Sequence, residues 1–173
     1  MKEKIIFKKK YKGVLITKKQ WEEEWETIDI SPNGEVLKET YNLVRTKWFL
    51  KYKNYCCVEF LDEQVDNNII KEMIDFYFEL LDKFRELNVK AISFQQIEEE
   101  LFYKLYNYIF YGRDWVFGVQ IDEYCSLDMN LQTGRIELYF FDNPFTLTEE
   151  DLKYYLGIIQ KAKKLFLGGK NGD

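Results

Sequence analysis

Between Asn67 and Leu87 the apolar residues Ile70, Met73, Ile74, Tyr77, Leu80, Leu81, Phe84 and Leu87 recur at helical spacing, while on both sides they alternate with polar residues in short runs. A period of 3.6 lines one face of a helix, and a period of 2 lines one face of a strand. Strands that come in runs, interrupted by helices but not strictly alternating with them, constrain the chain to an α+β architecture: a mainly antiparallel sheet of hairpins with three longer helices packed on one face. With 173 residues and no composition shift to mark a boundary, one domain over 1–173 is expected.

Residues 4–11 and 14–17 read as strands about Lys12-Gly13, and lysines along the first suit an edge that must not pair with other chains. Thr17-Lys18-Lys19-Gln20 has capping-box spacing, and Trp21, Trp25 and Ile28 follow at i, i+4 and i+7. A short helix over 18–26, with its tryptophans in the core, is therefore expected. Ser31-Pro32-Asn33-Gly34 suits the reversal of a hairpin whose second strand runs over 36–41. Strands over 46–53 and 55–61 meet at Lys53-Asn54, with Asn54 expected in the left-handed conformation.

Asn88 is placed to end the central helix. Ser93 and Gln96 form a second capping-box pattern, opening a helix that runs to Tyr111 and stops at Gly112. A strand carrying Trp115, Phe117, Val119 and Ile121 precedes a hairpin about residues 132–135, with Leu127 and Met129 before the turn and Ile136 and Leu138 after it. Pro144 breaks the last strand. Thr148 caps a final helix whose first turn holds Glu149, Glu150 and Asp151 and whose last turns hold Lys161, Lys163 and Lys164, matching the helix dipole. Gly168-Gly169 closes it, and a loose tail over 168–173 is expected.

The chemistry available is narrow. There is no histidine, and serine occurs only at Ser31, Ser93 and Ser126, which excludes Ser-His-Asp and Cys-His catalysis and zinc sites that need imidazole. Neither phosphate-cradling glycine motif is present, nor an EF-hand loop. No cofactor is expected. Asp122, Glu123, Asp128, Glu137 and Asp142 are common enough by chance that no metal site is assigned to them, although carboxylates alone can hold magnesium. A ligand-binding or divalent-metal-dependent enzyme built on that cluster is the alternative reading of function.

Cys56, Cys57 and Cys125 are an odd number without metal-site or disulfide spacing, and fit buried small side chains in a reducing compartment. With no secretory signal and no apolar run long enough to span a bilayer, a cytoplasmic protein without membrane contact is expected. Charge is uneven. Residues 1–19 hold eight lysines and one glutamate, +7, and the other 154 residues hold 17 basic and 29 acidic side chains, −12. The acidic body makes nucleic acid an unfavourable partner, leaving only the lysine-rich N-terminal arm to bind it, and it attracts a cationic protein.

Aromatic residues make up 18% of the chain and crowd residues 101–111 around the whole circumference of the expected helix. Such a helix must be buried on all sides, by its own core or by something else, and tyrosine and tryptophan dominate interface hot spots. Tyr103, Tyr106, Tyr108 and Tyr111, with Arg113, Asp114 and Trp115 in the loop that follows, form the expected partner-binding surface. Arg113 and Asp114 are also placed for a local ion pair. The resulting expectation is a non-catalytic acidic binding module that neutralises a basic protein partner, in the manner of bacterial immunity-type inhibitors.

Overall fold

The computed structural model describes residues 2–61, 65–90, 92–114, 116–141 and 147–168. They fall into two compact units, 1–65 and 66–173. Together they hold two antiparallel sheets and four α-helices, an α+β fold.

The first unit is a four-stranded meander: β1 (Lys4–Tyr11), β2 (Val14–Ile30), β3 (Val36–Tyr52) and β4 (Cys56–Leu61), paired in chain order. β1, with its lysines, lies at an edge. Lys12 and Gly13 both take positive φ, as a two-residue hairpin turn requires. At the β3–β4 turn the left-handed residue is Lys53, with φ 58°, not the expected Asn54. Val14, Ile16, Trp48, Leu50, Cys56 and Val58 share one face and are buried. Cys57 points the other way and is exposed, so the adjacent cysteines divide between faces as strand geometry dictates.

The largest correction falls on residues 18–26, which are strand and not helix. β2 runs unbroken for 17 residues and pairs with β3 over all but the first, from Leu15 opposite Lys51 to Ile30 opposite Val36. The segments expected as two strands over 36–41 and 46–53 are likewise one strand. Trp21 and Trp25 are four apart, a spacing that places two side chains on one face of a strand as well as of a helix. Their position also differs from the expectation: Trp21 is half-buried and Trp25 is exposed, so neither anchors a core.

The second unit joins four helices to a three-stranded sheet. α1 (Asn67–Leu87) follows its periodicity; Asp66 caps it by accepting from the Ile69 amide at 2.9 Å, and Asn88 ends it at φ 52°. The single helix expected from Ser93 to Tyr111 is two, α2 (Phe94–Tyr103) and α3 (Asn107–Tyr111), and Ser93 makes no side-chain capping bond. A 3-10 turn over Gly112–Asp114 leads into β5 (Val116–Gln120), β6 (Cys125–Asn130) and β7 (Arg135–Phe140). Phe117, Val119, Leu127, Met129 and Ile136 face the core, and the opposite face carries Asp128, Glu137 and other polar groups. α2 covers the outer edge of β5: the Gln120 amide donates to the Glu100 carboxylate at 3.1 Å, and Lys104 Nζ donates to the Gly118 carbonyl. An unpaired strand edge is thereby closed. α4 (Glu149–Ala162) carries the expected cap: the Asp151 amide donates to Thr148 Oγ1, and the Thr148 amide donates to the Asp151 carboxylate. Pro144 and the tail over 169–173 lie outside the described residues.

Candidate binding surfaces

The aromatic residues over 101–111 do not ring one continuous buried helix. The helix breaks at Lys104–Tyr106, turning Leu101, Phe102 and Leu105 inward and leaving Tyr103, Phe110 and Tyr111 about two-thirds exposed. Tyr106 is at the margin of exposure, Asp114 is exposed, and Trp115 lies outside the described residues. Tyr108 is half-buried, its ring 5.4 Å from that of Phe76. Burial, followed by the nearby Glu72 carboxylate, raises the Tyr108 phenol above its ordinary value. Arg113 does not pair with its neighbour Asp114. Its guanidinium bonds to Glu79 on α1 and lies 4.8 Å from the Phe76 ring centre. The geometry therefore brings Tyr108 and Arg113 together on α1 and leaves Tyr103 and Tyr111 free to touch something else.

The carboxylates of the second sheet have separate tasks. Asp122 is buried, and its Oδ1 accepts from the Tyr124 amide at 2.8 Å, the Cys125 amide at 2.9 Å and the Cys125 thiol at 3.4 Å. Its Oδ2 accepts from the Tyr155 hydroxyl of α4 at 2.8 Å. Burial, reinforced by Asp122, pushes the Cys125 thiol up to about 12 and raises the Tyr155 phenol. A thiol held so far from its thiolate is inert as a nucleophile. Asp128 accepts from the Ser126 hydroxyl at 2.9 Å and Glu137 pairs with Arg135, while Asp142 lies outside the described residues. Among the described residues no three histidine, cysteine or acidic side chains converge as metal ligands.

Sequence reasoning missed the most exposed element of the first unit. Among the described residues β1 pairs with β2 only as far as Gln20 and β4 pairs with β3 only from Lys47 onward, so residues 21–30 and 36–45 form a two-stranded ribbon with no third described strand beside it. Ten residues per strand at about 3.4 Å each make an arm roughly 34 Å long. A two-stranded hairpin is marginal in water when nothing covers it. Here Trp25, Ile28, Ile30, Val36, Leu37, Tyr41 and Val44 are between 42% and 72% exposed.

One face of the arm is organised around a carboxylate. The indole N–H groups of Trp21 and Trp25 donate to the two oxygens of Glu23 at 2.9 and 2.8 Å, and Arg45 lies 3.6 Å away. Those indole bonds, with the Arg45 charge, hold the Glu23 carboxyl below its ordinary range. Leu43 and Tyr41, opposite Glu23 and Trp25 on β3, complete the face. Residues 21–45 carry seven acidic and two basic side chains, −5, whereas residues 2–20 and 46–61 carry eleven lysines and two glutamates, +9. The first unit is thus polarised in charge along its strands, acidic at one end and basic at the other. A glutamate every second residue and tryptophans four apart were visible in the sequence, but read as a helix they gave no sign of a projecting ribbon.

Comparison with known protein families, curated proteins and solved structures gives no match. Among the described residues no helix is long and apolar enough to cross a membrane.

Proposed function

We propose that this chain is a non-catalytic binding module that grips a cationic protein surface with its β2–β3 arm. The observation that carries the reading is the arm itself: large apolar and aromatic side chains, exposed on a ribbon that no third strand of the described residues joins, and set among carboxylates. An isolated exposed hydrophobe is ordinary, but here exposed apolar residues pair across the strands, Trp25 with Tyr41 on one face and Ile30 with Val36 on the other, and grouped apolar surface among charges marks an interaction site. Trp25 and Tyr41 supply the rigid aromatic area that hot spots use, and the net charge selects a basic partner and speeds encounter. Neutralising a basic protein, as immunity-type inhibitors do, is the role that best fits this arrangement. Three cysteines outside any disulfide, with Cys57 exposed, suit a reducing compartment such as the cytoplasm.

The test is capture from a lysate of the native host by the immobilised full chain. A basic protein should be retained at about 0.1 M salt and released near 1 M, as the screening length falls from about 10 Å to about 3 Å. The double variant Trp25→Ala/Tyr41→Ala should lose it, with binding weakened by at least about tenfold. Equal capture by both proteins would refute the reading.

A further inference from the structure

We infer that the cationic surface that the arm takes up is the lysine-rich base of a second copy of this chain, the two copies lying face to face and antiparallel about a two-fold axis. The inference rests on the reading of the arm as a docking element and names its partner. Antiparallel register places Lys10, Lys8, Lys19 and Lys47 on the same side of the first sheet as Trp21, Glu23, Trp25 and Tyr41, and opposite to Ile16 and Leu50, which are buried. This outer face carries Lys8, Lys10 and Lys51, all exposed, at one end and Asp29 and Glu39, also exposed, at the other. Exposed apolar groups lie at both ends of it, Ile5 and Leu61 beside the lysines and Trp25, Leu37 and Tyr41 on the arm.

A surface with opposite charge at its two ends is complemented by itself when turned end for end. Arm-on-arm pairing would instead bring carboxylates against carboxylates. The antiparallel arrangement is isologous and closes at two copies. It sets lysines over Trp25 and Tyr41, in reach of the ring faces that bind cations. Within one chain the same sheet already uses that contact, with Lys47 Nζ 5.3 Å from the Trp21 ring centre and Lys19 Nζ 4.9 Å from that of Phe49. The shared two-strand strip from Leu15 to Asp29 is about 50 Å long and about 10 Å wide, hence on the order of 1,000 Å² over two copies, the size at which specific interfaces begin.

Sedimentation velocity of the full chain over a concentration series tests this directly. The wild type should move from monomer to dimer with rising concentration at low salt, and back toward monomer near 1 M salt. Lys8→Glu/Lys10→Glu/Lys51→Glu and Asp29→Lys/Glu39→Lys, all at exposed positions, should each weaken the dimer at least about tenfold, and an equimolar mixture of the two should form a heterodimer. Trp25→Ala should weaken it without altering charge. A wild type that stays monomeric at every concentration, or a mixture that does not pair, overturns the inference. If that monomer still captures a basic host protein through Trp25 and Tyr41, the arm remains a docking element for a different partner. If it captures nothing, both readings fall.

Discussion

Replacing Asp122 by alanine is expected to destabilise the second unit by about 4 kcal/mol, measured as a lower urea midpoint at neutral pH. The carboxylate accepts from two backbone amides, a thiol and the Tyr155 hydroxyl, and both Cys125 and Asp122 are buried. Alanine leaves those donors in place with no acceptor, and an unsatisfied buried donor costs about 1–3 kcal/mol. The Tyr124 amide sits in the turn between β5 and β6, the Cys125 amide and thiol at the start of β6, and the fourth donor, the Tyr155 hydroxyl, on α4, so the carboxylate ties the helix to the sheet. Asp122→Asn keeps an acceptor oxygen and should lose less. Tyr155→Phe removes one donor and should cost only about 1–2 kcal/mol. A midpoint unchanged in Asp122→Ala would show that the cluster does not hold α4 in place.

Alkaline pH should weaken the same unit. Cys125 titrates near 9.0 when unfolded and at about 12 in the fold, because burial and then the neighbouring Asp122 carboxylate disfavour the thiolate. Between those values the unfolded chain has released a proton that the folded chain keeps, so stability is complete below pH 9 and declines as pH rises toward 12. Tyr155 acts in the same direction from its ordinary value of 10.0. At about 1.4 kcal/mol per pKa unit, the loss through Cys125 is on the order of a few kcal/mol. Urea unfolding at about pH 8 and about pH 11 should show a smaller decline for Cys125→Ala than for the wild type. Equal slopes would contradict a buried, proton-retaining thiol.

Legibility in the sequence followed burial. α1 was legible because nine of its side chains are buried and only a helix places them on one face. The β6–β7 hairpin was legible because the buried Leu127, Met129 and Ile136 alternate with half-buried or exposed residues. The Thr148 cap was legible because its bonds are local, reaching only to Asp151. Where both faces of an element meet water, the pattern disappears. Residues 22–30 are almost wholly exposed, three successive glutamates occupy both faces, and the pairing partner that fixes the strand lies up to 24 residues away at Trp21 and Arg45. Nothing local opposed a helix there; the long-range ladder with β3 decided it. The aromatic run over 101–111 misled for a related reason. Apolar residues on all sides implied burial on all sides, but the helix breaks and exposes Tyr103, Phe110 and Tyr111 instead. Sequence adjacency pairs Arg113 with Asp114, whereas Glu79, the acid it bonds, is 34 residues distant in sequence.

The claim on which the proposed function depends is that residues 21–45 form a two-stranded β-ribbon. Solution NMR of the uniformly labelled chain, at a dilution low enough to keep it monomeric, tests this most directly. Strand-type carbon shifts over 18–30, with cross-strand contacts from Trp25 to Tyr41 and from Glu23 to Leu43, are the predicted result. Helical shifts over 18–26, or the absence of those contacts, would contradict it.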